Sequence, residues 1–441
     1  MIDYTVPLDQ LPDPLPIQQL SKPFNVSITP PGSKSITCRA YMLAALRSGW
    51  VIRPGINEDT QNLRFALEHL GAVFHSHYES PSEIWVDGVQ GRFPRGGKLV
   101  MGEGAAPTRF LMAAACLATE DVSIDASSCM RQRPISEGVE LLRQLGASIE
   151  YTDGDGKLPV RILASSRIRG GEVSVGATHS SQFISALMLI APCLERGLKI
   201  NFTAPLTSRT YVELTKNVMR AAGISVQDEA DSVRIPFQTV KNDRIIVEPD
   251  ATSATYWFAA AAMAYSGSVR VILPKTVDES FTNWQGDWQF PEILEQMGAF
   301  VQTQRASLFV RSESALNGVD CDMSSMPDAA VTLAALCAVC NGRSTITGLR
   351  TLRYKESDRL TALAAELRRI GCTIATGDDW ITIDPSTRHD HPATIETYND
   401  HRIAMAFAVL GLVRPNIAIR NPACVKKSYP TFWQDFAKLY Q

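Results

Sequence analysis

The chain has 441 residues, of which 45% are hydrophobic and 20% charged. That is enough for two or three domains with sizeable cores, and it excludes a disordered, collagen-like or coiled-coil protein. The 43 Lys and Arg residues nearly balance the 46 Asp and Glu residues, for a formal net charge of −3, which excludes nucleic acid and a polybasic membrane anchor as expected partners but allows a local site for small anions.

The lack of a signal peptide and of a membrane-spanning run leads us to expect a cytoplasmic protein. The first twenty residues lack the basic stretch and apolar run of a signal peptide. The longest apolar run, near Ile403–Val413, is far shorter than the roughly 18–20 residues that span a bilayer. The nine cysteines are scattered, so we expect reduced core residues rather than disulfides or metal ligands.

A helix rich in small apolar residues opens six times along the chain. A β-like run and a second, amphipathic helix follow each one. The six starts lie 72 to 75 residues apart, at Ser33, Thr108, Ser180, Thr252, Pro327 and Asp400. Five of the amphipathic helices end in turns that contain Gly71, Gly146, Gly223, Gly298 and Gly371. Because both markers share one period, we predict six repeats of strand, buried helix, strand, outer helix and closing strands.

Six repeats divide naturally into two α/β domains of three repeats each. Pro-containing turns interrupt the pattern at Thr29–Gly32 and Val247–Asp250, where the chain is expected to cross between domains. We therefore predict one domain over 32–248 and a second formed by 1–31 together with 249–441.

Cations cluster at or beside the starts of the buried helices, where free backbone N–H groups already favour anions. They are Lys34, Arg39, Arg109, Arg133, Lys355, Arg359, Arg402 and Lys427. The motif PGSKSITCR, which contains Lys34 and Arg39, is similar to a phosphate cradle without being a Walker loop. Carboxylates accompany the cations at Asp328, Glu356 and Asp400, either as helix caps or as proton-transfer groups. Together they predict a site that holds anions and moves protons.

Six segments in order carry a resemblance to a known family: PGSKS, RQRPISEGVELLRQLGA, SSQFISALM, PDAAVTLA, KESDR and TYNDHRIAMAF. The sequence resembles the EPSP synthase family of enolpyruvyl transferases over nearly its whole length. The resemblance implies an inside-out α/β barrel in each of two similar domains, with three βαβαββ units and buried helices per domain. It also implies transfer of the enolpyruvyl group of phosphoenolpyruvate to the 5-hydroxyl of shikimate 3-phosphate, a shikimate-pathway reaction that proceeds through a tetrahedral adduct and releases phosphate.

The resemblance also implies a role for individual residues. Shikimate 3-phosphate is expected to bind, mainly in the N-terminal domain, to Lys34, Ser35, Arg39, Ser180, Ser181, Gln182, Ser208, Tyr211, Asp328 and Lys355. Phosphoenolpyruvate is expected to bind Lys34, Arg133, Gln182, Arg359, Arg402 and Lys427. The catalytic residues are expected to be Asp328 as the base, Glu356 for proton transfer at C3, and Lys34 in contact with both substrates. We expect a monomer that needs no metal or redox cofactor.

One loop departs from the family pattern. Where the family usually reads close to GNAGTAMR, residues 102–109 read GEGAAPTR, with Ala105 in place of Gly. The added methyl predicts tolerance of glyphosate, the family's phosphoenolpyruvate-site inhibitor. Two alternatives remain open: UDP-N-acetylglucosamine 1-carboxyvinyltransferase, the sister enzyme, and a non-catalytic paralogue that binds anions.

Overall fold

The computed structural model describes the chain except residues 1, 78–79, 166–167, 179, 240–243, 265, 274–282, 305 and 388, and except the side chains of 77, 80 and 81. The chain divides into two compact units. The first unit is Gly32–Glu248, and the second is Met1–Pro31 together with Pro249–Gln441.

The first unit contains three inner helices, which are buried nearly all round because their residues are mostly small and apolar. They are Lys34–Arg47, Ala105–Ala115 and Gln182–Ile190. Three amphipathic outer helices follow them along the chain, at Glu58–Leu70, Ser136–Gln144 and Arg209–Ala221. A short helix at Ser128–Arg131 and a 3₁₀ turn at Ala191–Cys193 complete the helical elements of the described part of this unit.

Three four-stranded sheets enclose the inner helices of the first unit. In spatial order, one contains Arg244–Ile246, Gly49–Ile52, Ser80–Asp87 and Val73–His77. The second contains Gly97–Val100, Val122–Asp125, Val160–Leu163 and Ser148–Tyr151. The third contains Gly171–Val175, Leu198–Phe202, Ser232–Ile235 and Gln227–Glu229.

The second unit repeats this plan. Its inner helices are Ala251–Met263, Ala330–Cys337 and His401–Gly411, and its outer helices are Phe290–Gln296, Arg359–Arg369 and Phe432–Ala437. Its 3₁₀ turns are Leu8–Gln10, Gly286–Gln289, Arg350–Tyr354, Pro385–Thr387, Pro422–Lys427 and Lys438–Tyr440. No helix in the described part of the chain has the length and apolar character that crossing a bilayer requires.

The sheets of the second unit include strands from both ends of the chain. One contains Phe300–Gln304, Ser307–Arg311, Ser268–Ile272 and Asn25–Ile28, and another contains Asp320–Asp322, Ser344–Thr347, Ile381–Asp384 and Thr373–Thr376. A three-stranded sheet contains Leu15–Pro16, Ile417–Ile419 and Ala393–Ile395. The segment before Gly32 thus supplies two strands to the second unit.

For four of the inner helices, the strands before and after the helix are parallel neighbours, as when Val173 pairs with Ile200, because a helix can connect parallel strands. Around the other two inner helices the partners are exchanged, so that Asn25–Ile28 is parallel to Ser268–Ile272 and Arg244–Ile246 is parallel to Gly49–Ile52. The remaining pairs are antiparallel. In the sheet that contains Gly49–Ile52, the first strand is Arg244–Ile246, from the far end of the first unit.

The predicted α/β fold with repeated units and buried helices is confirmed. The five predicted glycines that close the outer helices all have positive φ, from 74° to 123°, as a helix-ending glycine requires. Four of the inner helices begin within two residues of the predicted start, and the other two differ by three residues. The second inner helix begins at Ala105 rather than Thr108, because Pro107 fits the first helical turn, where its missing N–H has no partner to lose. The fifth begins at Ala330 rather than Pro327, after a turn in which the Ala329 N–H donates to the Met326 carbonyl.

Candidate active site

Asp328 lies at the centre of a charged cluster in the second unit. Its Oδ1 is 3.0 Å from Lys355 Nζ and 2.9 Å from Arg359 Nη1. Its Oδ2 is 3.1 Å from Arg402 Nη2. The turn before the inner helix Ala330–Cys337 presents Asp328, and the first turn of the inner helix His401–Gly411 presents Arg402. Two inner-helix starts therefore meet at one carboxylate.

Arg359 joins three carboxylates of this cluster while its own side chain is almost fully buried. Besides Asp328, its Nη2 lies 2.7 Å from Glu356 Oε2 and its Nε lies 2.7 Å from Asp400 Oδ2. Such charge-assisted bonds fix the geometry of all three acids. Lys427, in the turn Pro422–Lys427, adds a further cation 3.5 Å from Glu356 Oε1.

The cations of the cluster control the protonation of Asp328. Burial disfavours its charged form, but Arg402, Lys355 and Arg359 outweigh burial and hold the pKa of this carboxyl well below its usual range. Burial also lowers the pKa of Lys355, although Asp328 opposes that shift. Asp328 is therefore ionised at neutral pH, and Lys355 loses its proton more readily than an ordinary lysine.

Asp287 is another buried carboxylate of this unit, and the sequence predicted no role for it. It lies in the 3₁₀ turn Gly286–Gln289. Burial raises its pKa to about 7; the charge of Asp328 adds to that shift and Arg402 opposes it. Its Oδ1 has no hydrogen-bond partner among the described residues. The preceding residue but one, Gln285, donates from Nε2 to the Pro249 carbonyl and accepts from the Ala251 N–H, so this turn holds the start of the inner helix Ala251–Met263.

The substitution Asp287→Asn is expected to stabilise the protein more at high pH than at low pH. In the unfolded chain the carboxyl ionises near its ordinary value of 3.8, and in the folded protein near 7. Between these two pH values, the carboxyl is ionised in the unfolded chain and protonated in the folded protein, so folding takes up a proton. Asp287 therefore lowers the free energy of unfolding as pH rises through this range. The gain in the free energy of unfolding should grow by about 2–4 kcal/mol between about pH 5 and about pH 8. Urea unfolding at both pH values measures it, with the exposed Asp155→Asn as control; a gain that does not change with pH would contradict it.

In the first unit, Lys34 lies at the start of the first inner helix and pairs with Asp59. The Lys34 Nζ to Asp59 Oδ2 distance is 2.8 Å, and Asp59 is buried. Asp59 also lies against Gly104, where an added Cβ would be 2.8 Å from its Oδ1. Asp59 thus links the start of the first inner helix to the loop before the second.

Arg109 links the second and third inner helices of the first unit. Its Nη1 donates to Ser180 Oγ at 3.0 Å and to Gln182 Oε1 at 2.8 Å. Its Nη2 donates to the Pro134 carbonyl at 3.1 Å, which fixes the chain beside the buried Arg133. Ser181, between Ser180 and Gln182, is also buried.

Arg39 is buried and bonded to uncharged groups. It donates to the Thr215 and Ser185 hydroxyls and to the carbonyls of Ser35 and Tyr211. Burial lowers its pKa to about 10, which still leaves it charged at neutral pH. The guanidinium therefore ties together two segments predicted to bind the same substrate. Ser208, one turn before the Tyr211 carbonyl, caps the outer helix Arg209–Ala221 with a positive φ of 50°.

The predicted residues of the second unit thus gather into one cluster around Asp328 and Arg359. In the first unit, the contacts centre on three side chains, Asp59, Arg39 and Arg109. Sequence reasoning gave Asp59 no role because acids are common in the first turn of any helix. Asp287 was not predicted because it stands at none of the repeated helix starts or glycine turns. Arg109 was recognised as a cation at a helix start but was given no partner. No group of three or more His, Cys, Asp and Glu side chains in the described part of the chain is arranged to hold a metal ion.

Comparison with known proteins identifies the family. A family model described as EPSP synthase (3-phosphoshikimate 1-carboxyvinyltransferase) matches residues 18–436. The chain belongs to this family. It is 37% identical over 421 residues to the 3-phosphoshikimate 1-carboxyvinyltransferase of Actinobacillus pleuropneumoniae serotype 3, a match that covers 93% of this chain and 95% of that one. The enzyme of the same name from Pasteurella multocida is 35% identical over 429 residues, with 93% and 94% covered.

Two solved structures of enolpyruvyl transferases share the fold. EPSP synthase from Acinetobacter baumannii matches with a TM-score of 0.78 and 25% identity, covering 96% of this chain and 98% of that one. The enolpyruvyl transferase NikO from Streptomyces tendae, at 17% identity and a TM-score of 0.70, covers 96% of this chain and 95% of its own, and it shows the fold alone. The predicted family, fold class and carboxyvinyl transfer to 3-phosphoshikimate are confirmed, in preference to the UDP-sugar enzyme.

Proposed function

We propose that this chain uses Asp328, Glu356 and Lys34 to transfer the enolpyruvyl group of phosphoenolpyruvate to the 5-hydroxyl of shikimate 3-phosphate. The observation that carries the proposal is the cluster in which Asp328 contacts three cations while Arg359 fixes Glu356 beside it. Both substrates bear a phosphate and a carboxylate, so their binding requires several cations in one place.

In the first unit, the proposed binding residues for shikimate 3-phosphate lie on segments joined by Arg39 and Arg109. Lys34, Ser35 and the Ser180–Gln182 segment supply a cation and hydroxyl, amide and backbone donors at the starts of inner helices. Ser208 and Tyr211 add donors at the start of an outer helix. The buried Arg39 contributes positive charge to these segments, because its hydrogen-bond acceptors are uncharged and do not neutralise it.

For phosphoenolpyruvate, we propose a clamp of Arg133, Arg359, Arg402 and Lys427, with Lys34 and Gln182 also in contact. Arg402 pairs with Asp328 at 3.1 Å, and Lys427 lies 3.5 Å from Glu356. Arg359 pairs with three carboxylates. We assign Arg359 a mainly organising part in the clamp, because one guanidinium fixes three acids.

The proton steps follow from this arrangement. In the addition, Glu356 donates a proton to C3 of phosphoenolpyruvate, the 5-hydroxyl oxygen bonds to C2, and Asp328 accepts the hydroxyl proton. In the elimination, C3 returns its proton to Glu356, and the bond from C2 to the phosphate oxygen breaks. The departing phosphate takes the proton that Asp328 held. Asp328 is then ionised again and Glu356 protonated again, as each was before the addition.

The low pKa of Asp328 explains why substrates should activate this base. In the free protein, Arg402, Lys355 and Arg359 stabilise its negative charge and make it a weak base. Substrate phosphates and carboxylates that bind these cations neutralise part of that stabilisation, which raises the proton affinity of Asp328 when both substrates are present.

A phosphate-release assay tests the proposed reaction. Phosphate should be released when shikimate 3-phosphate and phosphoenolpyruvate are both present, and not with either alone. Release with UDP-N-acetylglucosamine instead would indicate the sister activity. No release with either acceptor would indicate a non-catalytic anion-binding paralogue and would refute the proposal.

Ala105 predicts how the enzyme responds to glyphosate. Ala105 is the buried first residue of the inner helix Ala105–Ala115, in a loop expected to approach phosphoenolpyruvate. Restoring the family's glycine with Ala105→Gly should lower the inhibition constant of glyphosate about tenfold or more, because one methyl group in a binding site changes affinity by that amount. The same change one residue later, Ala106→Gly, is the control. Inhibition that is equally strong before and after Ala105→Gly would contradict the prediction.

We also propose that the enzyme is a cytoplasmic monomer. Phosphoenolpyruvate is a metabolite of the cytoplasm, and strands of the chain itself form all six sheets of the described residues. Light scattering coupled to gel filtration should give the mass of a single 48.4 kDa chain; a dimer mass would exclude the monomer.

A further inference from the structure

The segment before Arg402 makes a turn that few side chains adopt. Tyr398 and Asn399 both have positive φ, 55° and 56°, and the Asp400 N–H donates to the Thr397 carbonyl at 2.8 Å. These are features of a type I′ turn. Asparagine tolerates this backbone region, whereas a tyrosine is rarely found there. Contacts outside the turn must therefore hold it.

Glu366 supplies several of those contacts. Its side chain is fully buried. It accepts from the Tyr398 hydroxyl at 2.8 Å and from the Glu396 N–H at 3.2 Å. Arg369 Nε, 2.8 Å away, balances its charge. Since a buried carboxylate needs such partners, Glu366 and the turn stabilise each other.

A second contact holds the other side of the turn. The Asn399 side-chain oxygen accepts from the Asn421 side-chain nitrogen at 2.9 Å. Asn421 lies just before the turn Pro422–Lys427, which carries Lys427. Both central residues of the turn at Tyr398–Asn399 are thus fixed by side chains from neighbouring segments of the second unit.

The outer helix Arg359–Arg369 connects this turn to the charged cluster. Glu366 follows Arg359 by seven residues, so both lie on nearly the same face, about 10 Å apart along the axis. Arg359 binds Asp400 while Glu366 binds Tyr398. One rigid helix thereby sets the position of the turn and of the aspartate that follows it.

Asp400 connects the turn to Arg402. Asp400 Oδ1 accepts the Arg402 N–H at 3.0 Å and caps the inner helix His401–Gly411. The Arg402 guanidinium then reaches Asp328. A shift of the turn would move the helix start and, with it, the cation that the proposed function assigns to phosphoenolpyruvate.

We propose that Glu366 and Tyr398 are positioning residues for phosphoenolpyruvate, which hold the 397–400 turn so that Asp400 and Arg402 are correctly placed. Neither residue is among the groups assigned to substrate. The inference rests on the proposed function of Arg402. It requires that loss of the Glu366–Tyr398 contact weakens the use of phosphoenolpyruvate and leaves shikimate 3-phosphate binding intact.

Four variants of the full chain test this. Tyr398→Phe removes only a hydroxyl from a side chain that is 44% exposed, so the fold should persist. Glu366→Gln removes the charge and replaces one of the two side-chain oxygens with an amide nitrogen. The glutamine cannot then accept from both the Tyr398 hydroxyl and the Glu396 backbone N–H. Glu396→Gln is the matched control, since the side chain of Glu396 pairs with Arg420 at the surface. Arg402→Gln reports whether Arg402 itself serves phosphoenolpyruvate.

Steady-state kinetics, calorimetric binding of shikimate 3-phosphate and melting temperatures are measured for each variant. Tyr398→Phe and Glu366→Gln should raise KM for phosphoenolpyruvate roughly tenfold, with the dissociation constant of shikimate 3-phosphate unchanged. Glu396→Gln should change neither. Tyr398→Phe should also melt within a few degrees of the parent.

The two possible failures are distinguishable. If Arg402→Gln raises KM for phosphoenolpyruvate but Tyr398→Phe does not, the positioning role is wrong. If Arg402→Gln leaves that KM unchanged, the assignment of Arg402 in the proposed function is wrong, and the positioning inference fails with it. Parallel loss of both substrates' binding together with melting temperature would indicate a purely structural contact and would also overturn the inference.

Discussion

Replacing Glu356 with glutamine is expected to lower kcat by about two to four orders of magnitude, the usual contribution of a general acid or base. Glutamine keeps the shape of the side chain and an oxygen that can accept from Arg359 Nη2, now 2.7 Å away. It cannot donate a carboxyl proton to C3 and take it back. The dissociation constant of shikimate 3-phosphate should stay within about twofold, because Glu356 is assigned to proton transfer and not to the binding of that substrate.

Hydrogen exchange separates the role of Glu356 in proton transfer from a role in binding. In D₂O with both substrates, the parent enzyme should incorporate deuterium at C3, since protonation and deprotonation there are reversible steps. Glu356→Gln should lose this exchange together with turnover, and Glu396→Gln should keep both. Lost binding of shikimate 3-phosphate in Glu356→Gln, or retained exchange, would remove Glu356 from its assigned role.

The fold was largely predictable because its repeat has two independent markers. Apolar helix starts and helix-ending glycines such as Gly71 and Gly371 recur with nearly the same spacing, and each marker has a local physical cause. The pairing of strands that lie far apart in the sequence has no such local cause. Nothing in Asn25–Ile28 itself indicates that it pairs with Ser268–Ile272, because partners in a sheet are chosen by packing of segments far apart in sequence.

The candidate site was predictable to the extent that its residues stand at helix starts. Asp328, Arg359 and Arg402 do so, and both arginines contact Asp328 in the structure. The bonding partners were not predictable. That Arg359 serves three carboxylates at once, or that Glu366 binds the hydroxyl of Tyr398, depends on the relative placement of helices, which residue spacing does not specify.

Replacing Arg359 with leucine is expected to lower the free energy of unfolding by about 3–5 kcal/mol, the usual result of removing one partner from a buried ion pair. Arg359 contacts Asp328, Glu356 and Asp400, and its side chain is only 1% exposed. Leucine would leave three buried or half-buried carboxylates with fewer cations. Arg311→Leu, which breaks the exposed pair of Arg311 with Glu313, is the control and should lower stability by less than about 1 kcal/mol.

The pH dependence of the Arg359→Leu loss identifies its electrostatic origin. In the parent, the folded-state pKa of Asp328 lies well below its ordinary value of 3.8, so its stabilisation is present above that value and disappears as pH falls through the folded-state pKa. Without Arg359, the pKa values of the neighbouring carboxyls should rise, since a cation that favoured their charged forms is gone. Acid then protonates them and removes the penalty. Urea unfolding should therefore show a larger loss at about pH 7 than at about pH 4. A loss of equal size at both pH values would mean that Arg359 stabilises the protein by packing rather than by charge.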